Sequence, residues 1–256
     1  MKIFVINLEK DIKRRESILA QMERLSISFE FFKGYYAKEM SKEEISKHYD
    51  KKKTYRNLCL ELVPAQIGCA LSHVMLYKRI IDQNIDVACV FEDDVILPDG
   101  IMDSLNFIIA KMSKTIPQIF LLSPVETNGI VEYQSEHFSI EKYKNGFFTS
   151  AYVLNKAAAK SLLKNLYPIS NVADCWPYIQ RHNFVDLYGT NPGLVEQDQE
   201  TFGSSTNADL NANNVADIAK TFRYKVCRAL WLSYDFFKAL YDRNIRPNGG
   251  IKKESI

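Results

Sequence analysis

Short apolar runs alternate with helix-period stretches along the first two-thirds of the chain. Ile3 to Leu8 is a compact β-branched run that stops at a charged cluster, which predicts a buried strand. A helix is expected next. Asp11 stands where a helix N-cap belongs, Ile12, Leu19, Met22 and Leu25 recur as one apolar face, and Lys13, Arg14, Arg15, Glu16 and Glu23 fill the other. The charged stretch 38–56 has weak periodicity, and Ser41 with Glu44 has capping-box spacing, so it reads as a surface insert with a short helix. Pro64 suits the first turn of a second helix, with Ile67, Leu71, Met75 and Ile80 on its apolar side. Val87 to Phe91 reads as a central strand running into Glu92, Asp93 and Asp94, after which Val95 to Pro98 leaves the sheet. A helix over 101–112, a strand over 119–122, a hairpin-like region over 138–153 and a helix over 156–167 complete a βα alternation. That alternation predicts an α/β domain with a mostly parallel sheet and helices on both faces.

Composition narrows the picture. The 256 residues carry 33 Lys+Arg against 31 Asp+Glu and are 46% apolar, which excludes disorder and collagen-like repeats and fits one sizeable core. A net charge of +2 gives no footprint for nucleic acid. Cys59, Cys69, Cys89, Cys175 and Cys227 are odd in number and form no C-x-x-C pair, so a reducing cytosol is the expected compartment. The first apolar run is too short for a signal peptide, and no later run reaches the roughly 18 apolar residues that a membrane span needs.

Three successive carboxylates at the carboxyl end of a buried strand repel one another, and that end of an α/β sheet is where ligands bind. Glu92 and Asp94 would project to the same side of extended backbone and approach one divalent cation, with Mg²⁺ or Mn²⁺ suited to all-oxygen ligation. The plainer reading is a solvated strand end. Gly68, on the second predicted helix, costs about 1 kcal/mol relative to Ala, so a close approach of backbone or ligand is expected there.

Several segments together resemble glycosyltransferase family 25, which includes bacterial lipooligosaccharide β-1,4-galactosyltransferases and collagen galactosyltransferases. They are Ile3-Phe-Val-Ile-Asn-Leu8 with Arg14-Arg15, Gly68-Cys-Ala-Leu-Ser-His73, Phe91-Glu-Asp-Asp-Val95 and Ala151-Tyr-Val-Leu154. They continue with Ala173-Asp-Cys-Trp176, Pro192-Gly-Leu-Val-Glu-Gln197 and Ser204-Ser205. The resemblance implies a GT-A-like, Rossmann-type mixed sheet over residues 1–206, a UDP-sugar donor and transfer with inversion. It implies Asp94 as ligand of Mn²⁺ or Mg²⁺, and donor contacts from Asn7, Leu8, Ser72, His73, Glu92, Asp93, Gln197, Ser204 and Ser205. Arg14 and Arg15 either address phosphate or face water. Asp174 is the expected general base, beside a Trp176 ring that would carry a sugar face; the alternative makes Asp174 a helix cap. This sequence departs from the family's usual Asp-Trp in that Cys175 intervenes. His182, Asp186 and Asp198 are further oxygen or nitrogen donors that no spacing singles out.

Residues 207–256 read as a linker and a helical tail. From Lys220 onward the tail holds nine basic and three acidic residues among Phe222, Tyr224, Trp231, Tyr234, Phe236, Phe237 and Tyr241. Such a segment packs on its own domain, pairs two subunits as a homodimer, or lies on the cytoplasmic face of a membrane near a glycolipid acceptor. The leading expectation is transfer of galactose from UDP-galactose to lipooligosaccharide. A nucleotidyltransferase or metal phosphohydrolase, and a non-catalytic sugar-nucleotide-binding scaffold, are the competing readings.

Overall fold

The computed structural model describes residues 1–203 and Ser233. Ser204 and Ser205, expected to bind the donor, and the linker and basic aromatic tail apart from Ser233 lie outside the described residues. The chain opens with strand β1 (Lys2–Asn7), helix α1 (Ile12–Arg24) and strand β2 (Glu30–Lys33), a βαβ start in which β2 and β1 pair in parallel. The charged insert forms two short helices, α2 (Lys42–His48) and α3 (Lys51–Leu58), capped by the Ser41–Glu44 box and by Asp50. Helix α4 (Pro64–Asp82) follows, and then strands β3 (Val87–Glu92) and β4 (Val95–Ile96), helix α5 (Ile101–Lys111) and strand β5 (Gln118–Leu121). The second half comprises β6 (Glu126–Gln134), β7 (Ser139–Asn145), β8 (Ala151–Asn155), α6 (Lys156–Leu166), α7 (Trp176–Arg181), β9 (Asp186–Asn191), β10 (Glu196–Gln197) and α8 (Gln199–Phe202).

Eight strands form one sheet in the order β2-β1-β3-β8-β5-β9-β7-β6, and β10 pairs with β4 in a small second sheet. The large sheet is mixed: β2, β1 and β3 run parallel, as do β5 and β9, while β8, β7 and β6 are antiparallel to their neighbours. This corrects the mostly parallel expectation and agrees with the mixed sheet implied by the resemblance. The physical reason is β8, which enters between β3 and β5 from the opposite direction and buries all five of its residues. The region 138–153 is accordingly no hairpin. Strand β7 pairs with β6 and β9, and β8 pairs elsewhere.

Period-two alternation divides the core between the two faces of the sheet. Phe4, Ile6, Ala88, Val90, Ile119, Leu121, Tyr152 and Leu154 meet α4 and α6 on one face. Ile3, Val5, Cys89, Phe91, Phe120, Ala151 and Val153 meet α1 and α5 on the other. Near-continuous apolar strands are what a sheet covered on both sides requires.

Helix α1 departs from the expected face. Its buried residues are Ile18 and Met22, with Leu25 packed beside them, whereas Ile12 and Leu19 are 61% and 37% exposed. Arg14, Ile18, Met22 and Leu25 follow steps of four, four and three, so one stripe carries an arginine over the sheet end and aliphatic residues over the core. Rotation toward Ile12 and Leu19 would have carried Arg14 away from the carboxylates.

Helix α4 confirms the close approach at Gly68. A Cβ there would lie 2.4 Å from the Tyr35 carbonyl oxygen and 3.2 Å from the Ala37 nitrogen, both backbone atoms. Ser72, one turn on, donates from Oγ to the Gly68 carbonyl (2.7 Å) and accepts from the Tyr35 N–H (2.8 Å). The pair thus seats the 35–37 segment on the helix. Gly68→Ala is expected to lower stability by about 1–3 kcal/mol through this clash, despite the roughly 1 kcal/mol that Ala gains in helix propensity. A urea midpoint at or above that of the unmodified protein, with unchanged slope, would contradict it.

Candidate functional site

Strands β1 and β3 end side by side, with Ile6 opposite Glu92, so Asn7 arrives next to the acidic triplet. Strand β3 stops at Glu92, and Asp93 and Asp94 form a turn before β4. The extended arrangement expected for Glu92 and Asp94 is therefore replaced by a turn that sends the three carboxylates to different partners.

Asp93 accepts from Asn7 Nδ2 at 2.7 Å and from Arg14 Nη1 at 3.2 Å. Asp94 Oδ2 accepts from Arg14 Nη1 and Gln197 Nε2, both at 2.9 Å. Glu92 Oε1 accepts from Thr149 Oγ1 at 2.6 Å and faces His73 Nε2 at 3.1 Å. Arg15 reaches the same cluster indirectly, donating to Asn7 Oδ1 at 3.1 Å while its guanidinium lies 3.7 Å over the Phe31 ring. Neither arginine simply faces water. Arg14 also donates to the Gly203 and Phe202 carbonyls, and the Asp198 N–H donates to the Asp94 carbonyl at 2.7 Å, so the segment after β10 is tied to the turn.

These contacts set the charge states. Burial, reinforced by the charge of Glu92, pushes the Asp94 carboxyl up to about 7, against the opposing pull of Arg14 and Gln197. Burial likewise raises Asp93, offset in part by Asn7 and Arg14. For Glu92 burial acts upward too, but the hydrogen bond and charge of His73, with Thr149 and Arg14, carry it below the usual carboxylate range. Burial lowers the Arg14 guanidinium, and Asp94 and Asp93 more than restore it.

A cavity of about 530 Å³ opens beside these groups. Leu8, Ser72, His73, Glu92, Asp93, Asp94 and Gln197 line it together with Arg14, Cys69, Tyr35 and Tyr36. Seven of the expected site residues thus share one cavity. Asn7 sits behind them, buried against Asp93, and Asp174 stands outside the lining but within electrostatic reach of Glu92, His73 and Cys69. Burial first, then Glu92, raise the Asp174 carboxyl, and His73 opposes them.

Two expectations around Asp174 are corrected. Trp176 is fully buried, donates from Nε1 to the Phe148 carbonyl at 2.9 Å and packs edge-on to Tyr152, so its face is not open to a sugar. The cap position of α7 belongs to Cys175 rather than Asp174, and no side chain caps the helix there. Of the further donors, Asp198 caps α8 through the Thr201 N–H, and Asp186 is exposed at the start of β9.

The residues fit a divalent cation at one atom in particular. Asp94 Oδ1 is buried with no hydrogen-bond partner, a costly state for a carboxylate oxygen unless a cation completes it. Both oxygens of Asp93 are engaged. Asp94 is thus the ligand that the geometry favours. Thr149 and Cys69 belong to the site and were not singled out from the sequence. Cys69 was legible as an i, i+4 partner of His73 on α4, whereas Thr149 arrives through the β3–β8 pairing, which no local pattern records.

The chain belongs to glycosyltransferase family 25, whose family model, described as an LPS biosynthesis protein, matches residues 1–176. A putative glycosyltransferase of Haemophilus influenzae is 31% identical over 109 residues, 40% of this chain and 36% of that protein. The procollagen galactosyltransferase 1-A of Xenopus laevis is 30% identical over 99 residues, 37% of this chain and 16% of its own length. The lacto-N-neotetraose biosynthesis glycosyltransferase LgtB of Neisseria meningitidis serogroup B is 22% identical over 275 residues, covering 90% and 92% of the two chains. The chain therefore spans little more than a third of the Haemophilus relative and much less of the procollagen enzyme. No helix among the described residues is long and apolar enough to cross a membrane.

Between an unfolded carboxyl value of about 4 and the folded value of about 7 at Asp94, the native state binds more protons than the unfolded chain. Asp93 and Asp94 therefore withdraw stability as pH rises through that window, whereas the contribution of the lowered Glu92 is lost only in acid, as pH falls through its folded value. The melting temperature of metal-free protein is expected to fall between about pH 5 and pH 8, and Asp94→Asn to flatten the decline. Thermal melts that rise across this window at constant ionic strength would contradict the assignment.

Proposed function

We propose that this glycosyltransferase moves galactose from UDP-galactose to a terminal sugar of a lipooligosaccharide core, with inversion at the anomeric carbon. The observation that carries the reading is the unpartnered Asp94 Oδ1 at a 530 Å³ cavity whose acidic end is neutralised by Arg14. The names of the Neisseria and Xenopus relatives support the acceptor class and the sugar.

In such a transfer the acceptor hydroxyl attacks C1 of the galactose from the face opposite UDP. The C1–O bond to the β-phosphate breaks, and its electron pair stays on the diphosphate oxygen. Asp174 takes the hydroxyl proton, and its raised affinity for protons suits a general base. Arg14, which spans two carboxylates at the cavity wall, would offer its charge to the diphosphate as negative charge gathers there. Asp94 would hold Mn²⁺ or Mg²⁺, which supplies positive charge to the same oxygens. His73 fixes Glu92, and Ser72 holds the Tyr35 side of the cavity, so that the donor meets a preformed wall.

Purified protein with Mn²⁺, a lactose or glucoside acceptor and a panel of UDP-galactose, UDP-glucose, UDP-GlcNAc and UDP-GalNAc is expected to release UDP fastest with UDP-galactose. Asp174→Asn should lower turnover by about 10²- to 10⁴-fold, and Asp94→Asn by at least about 10²-fold, with folding retained. The linkage formed should be β when read by proton coupling at C1. Release of pyrophosphate in place of UDP, an α-linked product, or a turnover unaffected by both substitutions would overturn the proposal.

A further inference from the structure

We propose that Cys69, His73 and Glu92 form a second cation site, selective for a soft or borderline divalent ion of the zinc class and separate from the oxygen site at Asp94. One ligand atom from each residue lies within 4.8 Å of the others, and all three side chains line the same cavity. Cys69 and His73 are four residues apart on α4, so one rigid helix face presents thiol and imidazole together, while Glu92 faces them from the end of β3.

The ligand chemistry separates the two sites. Thiolate, imidazole and carboxylate together favour zinc, whereas Mg²⁺ and Mn²⁺ favour oxygen alone. Three protein ligands with the remaining position open to a cavity is the arrangement of a zinc site that accepts an exogenous ligand. Cys69 is partly exposed, while Cys59, Cys89 and Cys175 are buried. Burial first, and then the negative charges of Glu92 and Asp174, raise the Cys69 thiol well above its usual value, so an arriving cation takes the place of the thiol proton.

The surrounding hydrogen bonds supply what a metal-bound histidine needs. His73 Nδ1 lies 2.7 Å from the Tyr152 hydroxyl, which lies 3.3 Å from the Tyr77 hydroxyl. Both hydroxyls donate and accept, so the chain can run in either direction. With Nε2 protonated toward Glu92, Tyr152 donates to Nδ1. With the ion on Nε2, the proton moves to Nδ1 and is donated to Tyr152, which donates onward to Tyr77. Binding therefore replaces the hydrogen between Nε2 and Glu92, and the Cys69 proton leaves to solvent through the cavity as the thiolate forms. Thr149 meanwhile donates to Glu92 Oε1 at 2.6 Å and orients that carboxylate.

Co²⁺ is the probe, added to the full chain without nucleotide or Mn²⁺, so the outcome does not depend on the transferase reading. Expected is one equivalent that gives a thiolate-to-cobalt charge-transfer band with tetrahedral d–d absorption and is displaced by Zn²⁺. Cys69→Ser should abolish the charge-transfer band, and Glu92→Gln should weaken Co²⁺ binding at least about tenfold, in line with loss of a ligand. Asp94→Asn should leave the band in place, lowering the affinity no more than loss of one nearby negative charge requires. A missing band in folded protein, a band that survives Cys69→Ser, or one lost in Asp94→Asn would overturn the proposal. The last result would mean that a single cation is shared by all these groups.

Discussion

Three consecutive carboxylates at the end of a buried strand are the constraint around which this domain is arranged. Left alone, Glu92, Asp93 and Asp94 would repel one another in surroundings that strengthen every charge interaction. The chain meets this with partners drawn from distant segments: Asn7 from β1, Arg14 from α1, His73 from α4, Thr149 from the approach to β8 and Gln197 from β10. Each partner fixes the position of its own element. The cavity is what remains between them.

The cost of that arrangement appears in the packing. Helix α1 leaves Ile12 and Leu19 exposed so that Arg14 and Ile18 can share a stripe, giving up apolar burial for a guanidinium between two acids. Helix α4 carries a glycine in its buried first half, where only the absence of a Cβ lets the 35–37 backbone close the cavity wall. Both are local departures from what an isolated helix would prefer. Both occur where the helix meets the cavity.

The same distinction explains what was legible in the sequence. Strand and helix positions were readable because burial on both faces of a sheet writes continuous apolar runs, as in Val87 to Phe91 and Ala151 to Leu154. Seven residues expected from the family resemblance meet at one cavity because their segments fall at the carboxyl ends of β1 and β3, on α4 and on β10. Strand direction was not readable: β8 is apolar whichever way it runs, and its antiparallel entry depends on a pairing more than fifty residues distant in sequence. Trp176 misled for a related reason. An aromatic ring beside a carboxylate has the same sequence signature whether it faces a sugar or, as here, fills the core against Tyr152.

The turn at Asp93–Asp94 also determines how the end of the described chain is held. Gln197 reaches the Asp94 side chain, the Asp198 N–H reaches its carbonyl, and the guanidinium that neutralises Asp94 also grips the Phe202 and Gly203 carbonyls. A change in charge at this one carboxylate therefore redistributes the hydrogen bonds that secure residues 197–203. Under the function proposed above, a cation held by Asp94 would relieve its repulsion with Glu92 and weaken its hold on Arg14, leaving the guanidinium available to an anion in the cavity. On that reading, filling the site and the hold on residues 197–203 would be coupled through one carboxylate.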